Sequence, residues 1–107
     1  MVRPEVWHAP GAGARFAVTH PYVRRFWTAA IGPGAVADLL RLATAAQRGR
    51  SLRRPVHLGR LMTLGLVAAP GGRLLVSTTI PPLPVALAAR RLTPDLARQH
   101  RRALALA

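Results

Sequence analysis

Arg48, Arg50, Arg53 and Arg54 place four guanidinium groups in the seven residues Arg48-Gly49-Arg50-Ser51-Leu52-Arg53-Arg54, a stretch with no acid and no apolar period. The planar guanidinium fork donates two parallel hydrogen bonds and is weakly hydrated. It therefore suits phosphate oxygens and positions a polyanion without reading its sequence. His57, Arg60 and Thr63 follow at helical spacing, and Arg73 stands just after the turn residues Pro70-Gly71-Gly72. Arg24 and Arg25 extend the basic set. Blocks of like charge without interspersed acids repel themselves and tend to be interaction surfaces. Tyr22, Phe26 and Trp27 stand beside Arg24 and Arg25. Aromatic rings among cations can stack on unpaired bases, but Tyr22 and Phe26 at helical spacing read as core, and the reading of Trp27 stays open.

Other chemistry finds little support. His8, His20, His57 and His100 are far apart and lack the ligand spacing of a zinc site, so each reads as a surface or capping residue. There is no cysteine to supply a disulfide or a thiolate ligand. Glu5, Asp38 and Asp95 are too dispersed for a paired-carboxylate site, and Gly11-Ala12-Gly13 lacks the Gly-Lys-Ser/Thr end of a phosphate loop. Neither a metal, a cofactor nor an enzymatic activity is expected.

The charge is lopsided. Sixteen cations, all arginine, face three acids, for a net charge of +13, and no acid occurs between Asp38 and Asp95. The choice of arginine over lysine, with abundant Ala, Gly, Pro, Leu and Val, looks like the coding bias of a GC-rich genome. That bias does not account for the shortage of carboxylates. An excess of this size creates a potential that favours polyanions or anionic lipid. Half of the 107 residues are hydrophobic, which is enough to close one modest core, so one folded domain is expected. Arg3 and Glu5 lead into a Gly/Pro-rich stretch and not an apolar run, which makes the cytoplasm the expected compartment. Residues 61–89 carry one charge, Arg73, but Pro70-Gly71-Gly72 and the prolines at 81, 82 and 84 interrupt the ~20 apolar residues a membrane span requires.

The elements that must carry these residues follow from spacing and punctuation. Residues 1–20 read as an N-terminal arm with strand-like Phe16 and Val18. Tyr22, Phe26 and Ala29 or Ala30 share a helical face over 21–31, opened by Pro21 and ended by Gly32-Pro33-Gly34. Val36, Leu39, Leu40 and Ala43 mark a second helix from Pro33 to about Gln47, stopped by Gly49. Pro55 opens a shorter third helix with Leu58, Leu61 and Met62 on one side and Gly65 as its stop. Leu66-Val67-Ala68, the Gly71-Gly72 turn and 73–80 make a β-hairpin. A short helix covers 85–92, and Thr93-Pro94-Asp95 caps a last one. Phe26, Val36, Leu39, Leu40, Leu58, Leu61, Leu66 and Val76 form the expected core.

Three helices followed by a glycine-tipped hairpin, with Leu61-Met62-Thr63-Leu64-Gly65-Leu66-Val67 leading to Gly71-Gly72-Arg73-Leu74, resemble the winged helix-turn-helix over residues 21–80. The resemblance implies an α+β, mainly helical fold: a winged-helix-like domain over 21–92, an arm over 1–20 and a C-terminal helix over 93–107. It also implies duplex DNA as partner, with His57, Arg60 and Thr63 facing the major groove and Arg73 on the wing. The connector 48–54 is longer than the tight turn of that motif. The stretch from Pro21-Tyr22-Val23-Arg24-Arg25-Phe26-Trp27 through Ala45-Ala46-Gln47-Arg48-Gly49-Arg50-Ser51 also resembles short actinobacterial proteins, which carries no function. Alternative roles are an RNA- or ribosome-associated protein, a subunit docking through its C-terminal region, or a peripheral binder of anionic membrane through Arg98, Arg101 and Arg102 beside Leu96 and Leu104.

Overall fold

His20 begins the first helix by offering two acceptors: its ring Nδ1 takes the Tyr22 N–H at 3.0 Å and its carbonyl takes the Val23 N–H at 3.0 Å. Pro21, with no N–H to satisfy, fits between them. In the computed structural model, which describes residues 1–8 and 13–106, helix runs through 21–31 as expected, but its middle turn, Val23–Trp27, is π-helical, and α1 (Thr28–Ile31) completes it. The Thr28 N–H reaches back to the Val23 carbonyl, five residues away. One extra residue is thereby held in the turn.

Gly32 separates this helix from α2 (Pro33–Arg48), which ends as its sequence predicts. Gly49 adopts the left-handed conformation at φ 62°, the Gly49 N–H bonds to the Ala46 carbonyl, and the Arg50 N–H bonds to that of Ala45 at 2.8 Å. These are the two bonds of a Schellman cap. The third helix is shorter than expected. Pro55 makes only a turn, and α3 (Leu58–Thr63) closes with a second Schellman cap at Gly65, where the Leu66 N–H reaches the Leu61 carbonyl. Leu58 and Leu61 are buried, whereas Met62, expected on the same side, is exposed.

The hairpin forms from β3 (Val67–Ala68) and β4 (Leu74–Val76) about the turn Pro70–Gly72. It does not run on to Ile80. The Ser77 Oγ accepts the Thr79 N–H at 3.2 Å, a local bond that competes with the ladder, and the chain leaves the sheet there. Thr79–Ile80 then pairs antiparallel with Phe16–Ala17, which are β5 and β2 of a second small sheet. The strand expected around Phe16 in the N-terminal arm is thus present, and the start of the arm enters a sheet as well. Pro4–Val6 is β1, laid parallel along β4 with Glu5 opposite Leu75, so the sheet order is β1-β4-β3. The Gly/Pro-rich residues 9–12 of that arm lie outside the described residues, as does Ala107 at the end of the last helix.

One core joins all of this. Tyr22, Val23, Phe26, Trp27, Leu39, Leu42, Leu58, Leu61, Leu66, Val76, Ile80, Leu83 and Leu87 belong to a single buried cluster. Of the expected core, Leu40 is the exception: it is only half-buried at the edge of α2, and Leu42 takes the central place. Helices α4 (Val85–Arg91) and α5 (Pro94–Ala105) pack on this core, α5 being capped by the Thr93 hydroxyl accepting the Leu96 N–H. Leu96, Ala97, Ala103 and Leu104 rest against the cluster, and His100 is buried within it. Residues 93–106 are therefore continuous with the domain. The fold is α+β and mainly helical.

Candidate polyanion interface

The Schellman cap at Gly49 turns the chain off the end of α2 and directs the connector back along the N-terminal segment. An isolated antiparallel bridge holds it there, with the Val2 N–H on the Leu52 carbonyl at 2.8 Å and the Leu52 N–H on that of Val2 at 2.9 Å. Leu52 is half-buried, so the connector is anchored at its centre while its arginines face outward. Arg48, Arg50, Arg53 and Arg54 are all exposed. The bridge adds Arg3 to them, and a Cβ built on Gly49 would lie 3.6 Å from the Arg3 guanidinium. Arg48 also stands in the last turn of α2, where a cation is favoured by the helix dipole.

Beyond Arg3 a groove of about 900 Å³ runs between β1 and the hairpin tip, with Arg3, Glu5, Gly49, Gly72 and Arg73 among its walls. A smaller cleft of about 240 Å³ around Val2 has Arg54 and Arg73 on its lining. The hairpin cation thereby adjoins the connector. Arg73 grips Glu5 with both arms of its fork, Nη2 to Oε1 at 3.0 Å and Nε to Oε2 at 3.2 Å. The hydrogen bonds from Arg73 hold the Glu5 carboxyl below its ordinary value, aided by the charge of Arg3, and Glu5 in turn raises Arg73.

His57 and Arg60 are differently engaged. The Asp38 carboxylate accepts the His57 backbone N–H at 3.0 Å, contacts its Nδ1 at 2.8 Å, and receives the Arg41 guanidinium. Burial pushes the Asp38 pKa upward, but the bonds from His57 and Arg41 together outweigh it and the pKa is lowered. The His57 ring lies over the first turn of α2, so close that a Cβ on Gly34 would come within 2.8 Å of its Cε1. Arg60 donates to the Ile31 carbonyl at 2.9 Å, satisfying the end of the first helix. Both residues, expected to face a groove of DNA, spend their side chains fastening α3 to the two helices before it. Thr63 is exposed, its hydroxyl donating to the Gly59 carbonyl one turn back on its own helix.

Each of the three acids is matched to an arginine: Glu5 to Arg73, Asp38 to Arg41, and Asp95 to Arg98. The arginines of the connector have no such partner among the described residues. The aromatic side chains beside Arg24 and Arg25 are unavailable for stacking. Tyr22, Phe26 and Trp27 are buried, with the Trp27 Nε1–H donating to the Pro81 carbonyl at 3.0 Å. Arg25 lies over the Phe26 ring at 5.4 Å. Further exposed cations, Arg90, Arg91, Arg101 and Arg102, stand on α4 and α5. On α5, Leu96, Ala97, Ala103 and Leu104 are partly buried against the core, while Arg98, Arg101 and Arg102 are exposed. No helix among the described residues is long and apolar enough to cross a membrane, and none of their His, Asp and Glu side chains gather in threes to hold a metal ion.

Arg3 is the member of this surface that spacing does not disclose, because a two-residue bridge between distant segments has no periodicity to read. Comparison with protein-family models, curated proteins and solved structures found no match to the chain.

Proposed function

We propose that the protein binds nucleic acid through phosphate contacts made by Arg3, Arg48, Arg50, Arg53 and Arg54. The observation that carries this reading is that none of the three carboxylates pairs with a connector arginine among the described residues, while those arginines are all exposed on a backbone anchored at Leu52. Such a surface offers forks to phosphate oxygens, and binding through phosphate contacts is largely indifferent to sequence. The order of three helices and a hairpin supports a winged-helix-like arrangement on duplex DNA. The internal bonds of His57 and Arg60 favour positioning over readout by its third helix. Structured RNA is the second reading, favoured by the exposed arginines at 24, 25, 90, 91, 101 and 102 outside the connector.

The test is affinity against salt for duplex DNA, single strands and structured RNA, with the parent and Arg53→Ala/Arg54→Ala. On duplex DNA each lost contact should flatten the slope of log affinity against log salt by about 0.9, and weaken all sequences alike. A double variant with the parent's affinity and slope on every nucleic acid would overturn the reading.

A further inference from the structure

Resting on that reading, we propose that the groove between β1 and the hairpin tip is a phosphate subsite of the interface, and that the Glu5 carboxylate occupies it in the free protein. A carboxylate held by both arms of a guanidinium presents two oxygens in the plane of the fork, as a phosphate diester does with its two unesterified oxygens. Glu5 and Arg73 have that geometry, at 3.0 and 3.2 Å. Arg3 borders the same groove, and Arg54 shares with Arg73 the cleft next to it, so a backbone following the connector arrives at Arg73.

The pair is made to exchange. Its side chains are 62% and 48% exposed for Arg73 and Glu5, in contrast to Asp38, which is buried beneath its partners. An exposed ion pair of this kind contributes little to folding, so giving it up costs little, while a phosphate that displaces Glu5 finds Arg73 already positioned on the sheet beside Arg3. Glu5 itself lies on β1, directly opposite Leu75 of β4, and stays within reach of the fork by its backbone placement alone. It therefore competes with every phosphate that enters, and it lowers affinity without blocking the connector.

The experiment compares nucleic-acid affinity and salt slope for the parent, Glu5→Gln, Arg73→Ala, Glu5→Gln/Arg73→Ala and Asp95→Asn. The last removes an equal charge and frees Arg98 outside the groove, and so reports the effect of losing an exposed, ion-paired acid elsewhere. Glu5→Gln should bind about two- to fivefold more tightly, the worth of an exposed ion pair that no longer has to be broken, and steepen the duplex slope by up to about 0.9. The gain should vanish in the double variant and be absent or much smaller in Asp95→Asn. If the parent binds and Glu5→Gln matches it or merely matches Asp95→Asn, the subsite is overturned and the connector reading stands. If the parent binds no nucleic acid, both fall. A thermal melt of each variant separates a loosened sheet, which would weaken binding, from the gain expected here.

Discussion

The Tyr22 hydroxyl lies 2.7 Å from the His100 Nε2 and accepts the Leu83 N–H at 2.9 Å, so one phenol ties the first helix, the last helix and the segment before α4 together. With the Leu83 N–H directed at the oxygen, the phenol's own proton is free to point to Nε2, an arrangement that suits a neutral imidazole. Phe26 packs edge-on against the same ring at 5.0 Å.

Burial, helped by the charge of Arg101, lowers the His100 pKa from the ordinary 6.5. The unfolded chain therefore binds this proton more readily than the folded one. The stability that His100 contributes is complete above 6.5 and is lost as pH falls through the lower folded value. Denaturation midpoints measured between pH 7.5 and 5, a range of about one unit or more around the free imidazole value, should decline on acidification in the parent. In His100→Gln that part of the decline should disappear.

Leu42 is fully buried in α2 and Leu40 is not. Leu42→Ala should cost about 2–5 kcal/mol by leaving a cavity in the centre of the core, and Leu40→Ala distinctly less. Chemical denaturation of the two variants compares them directly.

Asp38 should matter as a latch for α3. Asp38→Ala strands the His57 backbone N–H, which is bonded to no other acceptor among the described residues, and should destabilise the protein by about 1–3 kcal/mol. Arg41→Ala, which removes a mostly exposed partner, should cost about 1 kcal/mol or less. Because the Asp38 pKa is lowered from 3.8, its contribution is present above that value and is lost as pH falls through the folded one. The difference between parent and Asp38→Ala in urea midpoint should narrow accordingly in strong acid.

Arg60→Ala separates a fastening role from a reading role. Loss of the bond to the Ile31 carbonyl should lower stability by about 1 kcal/mol and leave the ratio of affinities for different duplex sequences unchanged. A fall in that ratio by about 1–3 kcal/mol would instead assign Arg60 to a base edge.

The elements that depend on local rules were legible from residues alone. Pro33 and Gly49 bound α2, Thr93 and Pro94 open α5, and Pro70-Gly71-Gly72 turns the hairpin. What spacing could not supply was partnership across distance. Pro4–Val6 carries no alternating pattern and becomes a strand only because β4 is there to receive it. Residues 73–80 look like one strand until Ser77 bonds locally. The same limit applies to the candidate interface. The connector arginines were evident, but Arg3 joins them through Val2 and Leu52, and Asp38 claims His57 from nineteen residues away.

The wide turn at Val23–Trp27 settles how the first helix can turn so many large side chains one way. The buried pairs Tyr22-Val23, Phe26-Trp27 and Ala30-Ile31 recur every fourth residue. A uniform α-helix advances about 100° per residue, so each successive pair would drift by about 40° around the axis. The extra residue absorbs the drift, letting Tyr22 face α5 while Trp27 faces the chain at Pro81. The helix is consequently phased to two neighbours at once. A lineage that lost a single residue from this turn would keep a helix of good length but uncouple one neighbour, so length changes here are far less permissible than their effect on helix content suggests.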